Sequence, residues 1–159
     1  MEKSGLSHID DNNAPAMVNV GEKKVTHRSA TARSIVVVSD EILALIEDGD
    51  IQSKKGPVFH TAIIAGTMAA KKTGELIPLC HPIGMDGCDI EIKVDHKEIV
   101  IRCTCSVTAK TGIEMEALTG ASIAALTIYD MCKAMSHDIV IRETRLIAKT
   151  GGKKDFHHE

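Results

Sequence analysis

Asp130 and Lys133 are the two residues of this 159-residue chain whose types and spacing best suit proton transfer. They close the segment Thr127-Ile128-Tyr129-Asp130-Met131-Cys132-Lys133, and on a helix residues three apart stand side by side. Two readings are open. One is a helix salt bridge, worth about 0.3–0.5 kcal/mol on a surface. The other is a carboxylate and an ammonium tuned by burial and by each other into an acid–base couple. Thr119, Ile123, Leu126, Asp130 and Lys133 recur at helical spacing, so the pair is expected to lean toward a partly buried face.

Further candidates lie elsewhere. Lys110-Thr111-Gly112-Ile113-Glu114-Met115-Glu116 opens the same helix with backbone and hydroxyl donors and two carboxylates. Glu114 and Glu116 either balance the helix dipole or accept N–H groups from a guanidine-like ligand. Pro78 and Pro82 constrain the loop that carries Leu79, Cys80 and His81, which favours a site role for His81 as much as a structural one. Ser53-Lys54-Lys55-Gly56-Pro57 precedes a helix start and reads equally as an anion site or a solvated turn. Arg28 and Arg33 fall on opposite faces of one strand, either solvated or functional. Lys149-Thr150-Gly151-Gly152-Lys153-Lys154 is a basic, Gly-rich stretch that folds over phosphates or stays disordered. Cys103 and Cys105 share a strand face, but neither a second Cys pair nor a His motif at zinc spacing accompanies them.

The elements that must position these groups follow from periodicity. A long helix is expected from Glu114 to about Ser136, its Ala-rich body almost free of charge and covered on most sides. Ala16–Val20 reads as a short extended segment and Val25–Val38 as a long strand. A short helix starts at Ser39, carries its apolar pattern over Ile42–Glu47 and ends at Asp48-Gly49-Asp50. Another runs from about Val58 to Lys72, stopped by Gly74. Cys88–Val94 and Ile99–Val107 alternate around the turn Asp95-His96-Lys97-Glu98 as a hairpin, and a last strand spans Ile139–Ala148. The order matches an α+β sandwich, a mostly antiparallel sheet with helices packed on one face, and it contains βαββαβ if one early helix is an insertion. The organisation expected is a flexible arm over residues 1–14, one domain over 15–150 and a flexible tail over 151–159.

Composition narrows the function. The net charge of −3 and pI near 6.2 give no overall attraction to nucleic acid or anionic membranes. The apolar share is 43% with only one Tyr and two Phe, so the core must be aliphatic. Five cysteines in no disulfide pattern suit a reducing compartment, and no apolar run reaches membrane-span length. A soluble, cytoplasmic protein is expected.

Leu79-Cys80-His81-Pro82, the stretch Lys110 to Thr119, and Thr127 to Ala134 together resemble the molybdenum cofactor biosynthesis protein C family, the cyclic pyranopterin monophosphate synthases. The likeness extends from Ser7-His8-Ile9 through Met17-Val18-Asn19-Val20 to Lys149-Thr150-Gly151-Gly152-Lys153. It implies a ferredoxin-like fold and a homohexamer built as a trimer of dimers. It implies a lyase that converts 3′,8-cyclo-7,8-dihydro-GTP to cyclic pyranopterin monophosphate with release of pyrophosphate. The roles it implies are catalysis by Asp130 and Lys133, and substrate contacts at Leu79, Cys80, His81, Met115 and Glu116. Arg28, Lys55 and Lys149 are implied near the triphosphate, and Glu114 joins Glu116 as a candidate acceptor for the guanine-derived ring. No cofactor is implied beyond Mg²⁺ accompanying the triphosphate. Departures from the family pattern occur at Asn19, at Pro57 and in the tail, where Lys154 and Asp155 follow Gly-Gly-Lys; none touches Asp130 or Lys133.

Fourteen residues of one straight helix separate Glu116 from Asp130, a rise of about 21 Å. A nucleotide-sized substrate therefore meets both only if the site is shared between subunits. Two other function classes compete with the lyase: a non-catalytic regulatory oligomer that binds a nucleotide or pterin, and a zinc-dependent pterin enzyme using Cys103, Cys105 and histidines.

Overall fold

A computed structural model describes residues 7–158. Its elements run β1 (Thr26–Val37), α1 (Asp40–Leu43), β2 (Ile46–Glu47), β3 (Asp50–Ser53), β4 (Gly56–Pro57), α2 (Val58–Lys71), α3 (Thr73–Leu76), β5 (Gly87–Asp95), β6 (Glu98–Ala109), α4 (Glu114–Cys132), β7 (Val140–Thr150) and β8 (Phe156–His157). The main sheet has the order β5-β6-β1-β7-β8 and is antiparallel throughout. With α1 to β4 set aside as an insertion, β1, α2, β5, β6, α4 and β7 form a βαββαβ sandwich with its two long helices on one face.

Alternation in β6 shows how the sheet divides. Ile99, Ile101, Cys103, Cys105 and Val107 are buried under the helices, while Arg102 and Thr104 are exposed on the open face. On α4 the matching arc is Ala117, Gly120, Ala121, Ala124, Ala125 and Ile128, all buried. These small residues bring backbones together. A Cβ on Gly66 would lie 2.7 Å from the Gly120 carbonyl oxygen, and one on Gly120 would lie 2.6 Å from Cys103 Sγ. That close crossing of α2 and α4 fixes the long helix over the sheet.

The open face of the sheet is polar. Arg33 stands between Arg102 and Arg145 in one cross-strand row and pairs with Glu143 at 2.8 Å. Arg28, of the opposite parity, belongs to the helix side.

Several boundaries depart from the sequence expectation. The helix expected through Glu47 ends at Leu43, and Ile46–Glu47 instead pairs with Asp50–Ile51. Asp48 (φ 51°) and Gly49 (φ 80°) form the two-residue turn of that hairpin, both in the left-handed region such loops require. Gly74 does not end the helical run, because Thr73–Leu76 forms α3, where Gly74 lies against Pro82 with no room for a side chain. The long helix stops at Cys132 rather than Ser136, closed by a turn in which Met135 N donates to Cys132 O.

Ala16–Val20, expected as a short extended segment, lies outside both sheets. Of the expected N-terminal arm, residues 1–6 lie outside the described residues. From Ser7 it is an exposed loop in which Asp10 Oδ1 accepts from the N–H groups of Asn12 and Ala14. The expected flexible tail folds back at Gly151 (φ 86°) and pairs as β8 with Ala148 and Lys149.

Candidate active site

The eleven sequence-nominated residues fall into two groups, one at each end of α4. Eight gather at its start. Leu79, Cys80 and His81 from the loop after α3, with Thr111, Gly112 and Met115, line a recess of about 550 Å³. His8 also lines it, from the segment that opens the family likeness; Thr111 and His8 were not nominated, being ordinary residues in polar loops.

Two carboxylates behave differently there. Glu116 is 2% exposed, and its Oε2 has no hydrogen-bond partner. Burial pushes its carboxyl above the usual glutamate range, and the nearby charge of Glu114 adds to this against its own backbone N–H. Glu114 turns back over Gly112, where a Cβ would meet its Oε2 at 2.0 Å, and pairs with Lys149 Nζ at 3.2 Å. Cys80 Sγ lies 4.0 Å from Glu116 Oε1. Burial, then the charges of Glu116 and Glu114, push its thiol up, so Cys80 keeps its proton and is a weak donor rather than a nucleophile. Arg28 Nη2 donates to the Lys110 carbonyl at 3.2 Å, while its buried Nε has no partner. The tail passes here, since Thr26 Oγ1 donates to Gly151 O at 2.7 Å. Glu116 borders not this recess but a smaller cavity beside it, of about 210 Å³, with Gly74 and Pro82.

At the far end of α4, Asp130 bridges two lysines: Oδ1 to Lys133 Nζ at 2.8 Å and Oδ2 to Lys55 Nζ at 3.0 Å. Lys133, then Lys55, hold the Asp130 carboxyl below the usual aspartate range, and Asp130 pushes the Lys133 ammonium up. The expected lean toward a buried face is not observed. Asp130 and Lys133 are 53% and 57% exposed in the protomer, because the arc of small residues, not the stripe through Leu126, packs on the sheet. Lys55 was expected with Arg28 and Lys149, yet it sits here, at the opposite end of the helix.

The N-terminus of α2 does not offer the free anion site that Lys54 and Lys55 suggested. Asp50 already fills it, accepting from Phe59 N (2.6 Å), His60 N (3.1 Å) and His60 Nδ1 (2.6 Å) as well as Ile51 N (2.7 Å). Burial alone would raise the Asp50 carboxyl, but these donors, Phe59 N–H foremost, bring it below the usual range. Sequence reasoning took Asp50 as a helix stop; its place nine residues before the amide it caps left no local signal. Lys55 is set by its turn, where Lys55 N donates to Ser53 Oγ and Gly56 has φ 111°.

The zinc arrangement using Cys103, Cys105 and histidines is not formed among the described residues, where the third group near this pair is Cys88 and no histidine joins them. No described helix is long and apolar enough to cross a membrane.

Residues 17–152 match the model of the MoaC family. Cyclic pyranopterin monophosphate synthase of Xanthomonas oryzae pv. oryzae is 52% identical over 152 residues, covering 95% of this chain and 92% of the relative. The synthase of that name from Brevibacillus brevis is 50% identical over 154 residues, covering 96% and 95%. A molybdenum cofactor biosynthesis bifunctional protein of Synechocystis is 49% identical over 155 residues, with the match spanning 94% of this chain and 45% of the longer protein.

Proposed function

The chain belongs to the MoaC family, and from that membership we propose that it is a cytoplasmic phosphorus–oxygen lyase of molybdenum cofactor biosynthesis. It acts as a cyclic pyranopterin monophosphate synthase on 3′,8-cyclo-7,8-dihydro-GTP, releasing pyrophosphate. The observation that carries this reading is identity of about half over nearly the whole length of relatives bearing that name.

The reaction is redox-neutral, so proton transfer and charge neutralisation are what the protein must supply. Asp130 and Lys133 form the proton-exchanging pair, held in opposite charge states by each other, with Lys55 as the second cation on Asp130. Glu116 and Glu114 accept N–H groups of the guanine-derived ring, and Cys80, His81, Leu79 and Met115 line its recess. Arg28 and Lys149 face the phosphates. Closure of the cyclic phosphate forms a bond from a ribose hydroxyl to the α-phosphorus, breaks the α–β phosphoanhydride bond, and leaves pyrophosphate. No resident cofactor is required in this scheme; Mg²⁺ enters with the triphosphate as its counter-ion.

The working unit is a homo-oligomer, a hexamer arranged as a trimer of dimers, in which the α4 start of one subunit faces the α4 end of another. Two features support it. The residue groups sit at opposite ends of one helix, about 21 Å apart along its axis. The outer surface of the helical layer also exposes Ile64 (63%), Met68 (52%), Leu126 (52%) and Tyr129 (36%), an apolar face suited to burial between copies.

Turnover of the cyclised GTP intermediate by wild type, Asp130→Asn and Lys133→Ala tests the reading, following pyrophosphate and the oxidised fluorescent pterin. Wild type is expected to form both products, and folded variants that still bind are expected to form neither. Wild-type binding without turnover would transfer the function to a regulatory nucleotide- or pterin-binding oligomer.

A further inference from the structure

Three thiols that the reaction does not use converge beneath the helices. Cys103 and Cys105 point inward from β6, fully buried, with their sulfurs 3.8 Å apart. Cys88 stands directly opposite Cys105 on β5 and is half-buried. All three Sγ atoms lie within 4.8 Å of one another. A single buried cysteine is an ordinary small apolar residue. Three whose sulfurs meet from two strands are a donor set.

We propose that Cys88, Cys103 and Cys105 form a three-sulfur binding site for a soft, thiophilic metal ion, Cu(I) being the best match. Three sulfurs bonded at about 2.3 Å to a common centre stand about 4 Å apart, so the cluster closes on an ion with shifts below about 1 Å. Soft thiolates select Cu(I) or Zn(II) among the common ions. Zn(II) asks for a fourth ligand, and no His, Asp or Glu among the described residues joins the three sulfurs. A sulfur-only trigonal set suits Cu(I).

There is also a way in. Cys88 lines a recess of about 390 Å³ with Met85, whose thioether is another soft ligand, and with the opposite charges of Lys71 and Asp86. Binding sends thiol protons to solvent and changes no oxidation state. The three sulfurs are not among the proposed catalytic or binding groups, though they lie near one of them: Cys103 packs against Gly120, one turn beyond Glu116 in α4.

The test uses the full chain, reduced and free of oxygen, titrated with Cu(I) held by the chromophoric chelator bicinchoninate. One Cu(I) per chain is expected to leave the chelator, with three sulfurs around copper by X-ray absorption and no displacement by a large excess of Zn(II). Cys88→Ser, at the half-buried position, is expected to stay folded by circular dichroism and to show at most two sulfurs; Cys103→Ser should do the same where it folds. Cys80→Ala should bind copper as wild type does. Fewer than three sulfurs in wild type, binding that follows Cys80 instead, or unchanged coordination in Cys88→Ser would overturn the site. Displacement by Zn(II) would overturn the copper assignment.

Discussion

The two ends of α4 solve opposite electrostatic problems. At its start, Glu114 and Glu116 sit where the helix dipole favours negative charge, yet Glu116 is so deeply buried that its carboxyl is pushed up. At its end, Asp130 is a carboxylate where the dipole disfavours one, yet two exposed lysines, Lys133 foremost, hold its carboxyl below the usual aspartate range. One end carries a buried carboxyl beside an apolar-walled recess, which the proposed reading gives to the ring; the other is an exposed cluster of charges, which it gives to proton transfer. In the proposed reading neither is a complete site, and the helix keeps them apart.

The sharpest way to break that comparison is to disable the ends in separate chains. Asp130→Asn and Lys133→Ala should each lower turnover by about 10²–10⁴-fold, the range for a lost acid–base group. Both should leave thermal stability nearly unchanged, since the side chains are half exposed. Glu116→Ala should also inactivate. Co-refolding Asp130→Asn with Glu116→Ala should then restore about a quarter of wild-type activity if random pairing rebuilds intact shared sites. Mixtures as inactive as their parents would show that each site lies within one chain.

Next in size is the support beneath the exposed end. Asp50→Ala removes the carboxylate that caps α2 and leaves the Phe59 and His60 amides without it. Unfolding in urea should show a loss of about 1–2 kcal/mol or more. Because β3 and β4 carry the Lys55 turn, turnover should fall with it. The matching change at the start, Gly112→Ala, should cost less stability, because the atom in its way is the flexible end of Glu114. Its expected effect is a raised KM, with the Glu114–Lys149 pair displaced and kcat kept; an unchanged KM would remove Glu114 from the binding role.

Much of this was legible in the sequence where local pattern and tertiary role coincide. The alternation of β6, the small-residue body of α4 that lets backbones approach, and the Asp130–Lys133 spacing each state their geometry within a few residues. What escaped was set by partners distant in the chain. The Asp48-Gly49 turn is an exception, a local hairpin between Ile46 and Ile51 that reads as a helix stop because the same Asp-Gly signal ends helices. The burial of Glu116 comes from the chain around Gly74 and Pro82, with which it shares a small cavity. Helical spacing placed Asp130 correctly beside Lys133 but assigned their stripe to the wrong side, because Ile123 and Leu126 looked like core. An apolar stripe that faces away from its own sheet is legible only once the sheet is in place.

The smallest expected effect is also the one that separates the two carboxylates by sign. Glu116 holds its proton more tightly folded than unfolded, so its contribution to stability is fully present below the ordinary value of 4.5 and is lost as pH rises through the raised folded value. Asp130 is the reverse: its contribution is present above the ordinary value of 3.8 and is lost as pH falls through the lowered folded value. Melting temperatures measured between about pH 3 and pH 8 at fixed ionic strength should therefore diverge in opposite directions. Relative to wild type, Glu116→Gln should gain as pH rises, because the variant no longer has a buried carboxyl to ionise. Asp130→Asn should lose slightly over the same range, and added salt should erase its difference first, since its ion pairs are exposed and screened. Parallel curves for the two variants would mean that the buried carboxyl at the start of α4 and the exposed one at its end do not differ in the way their burial requires.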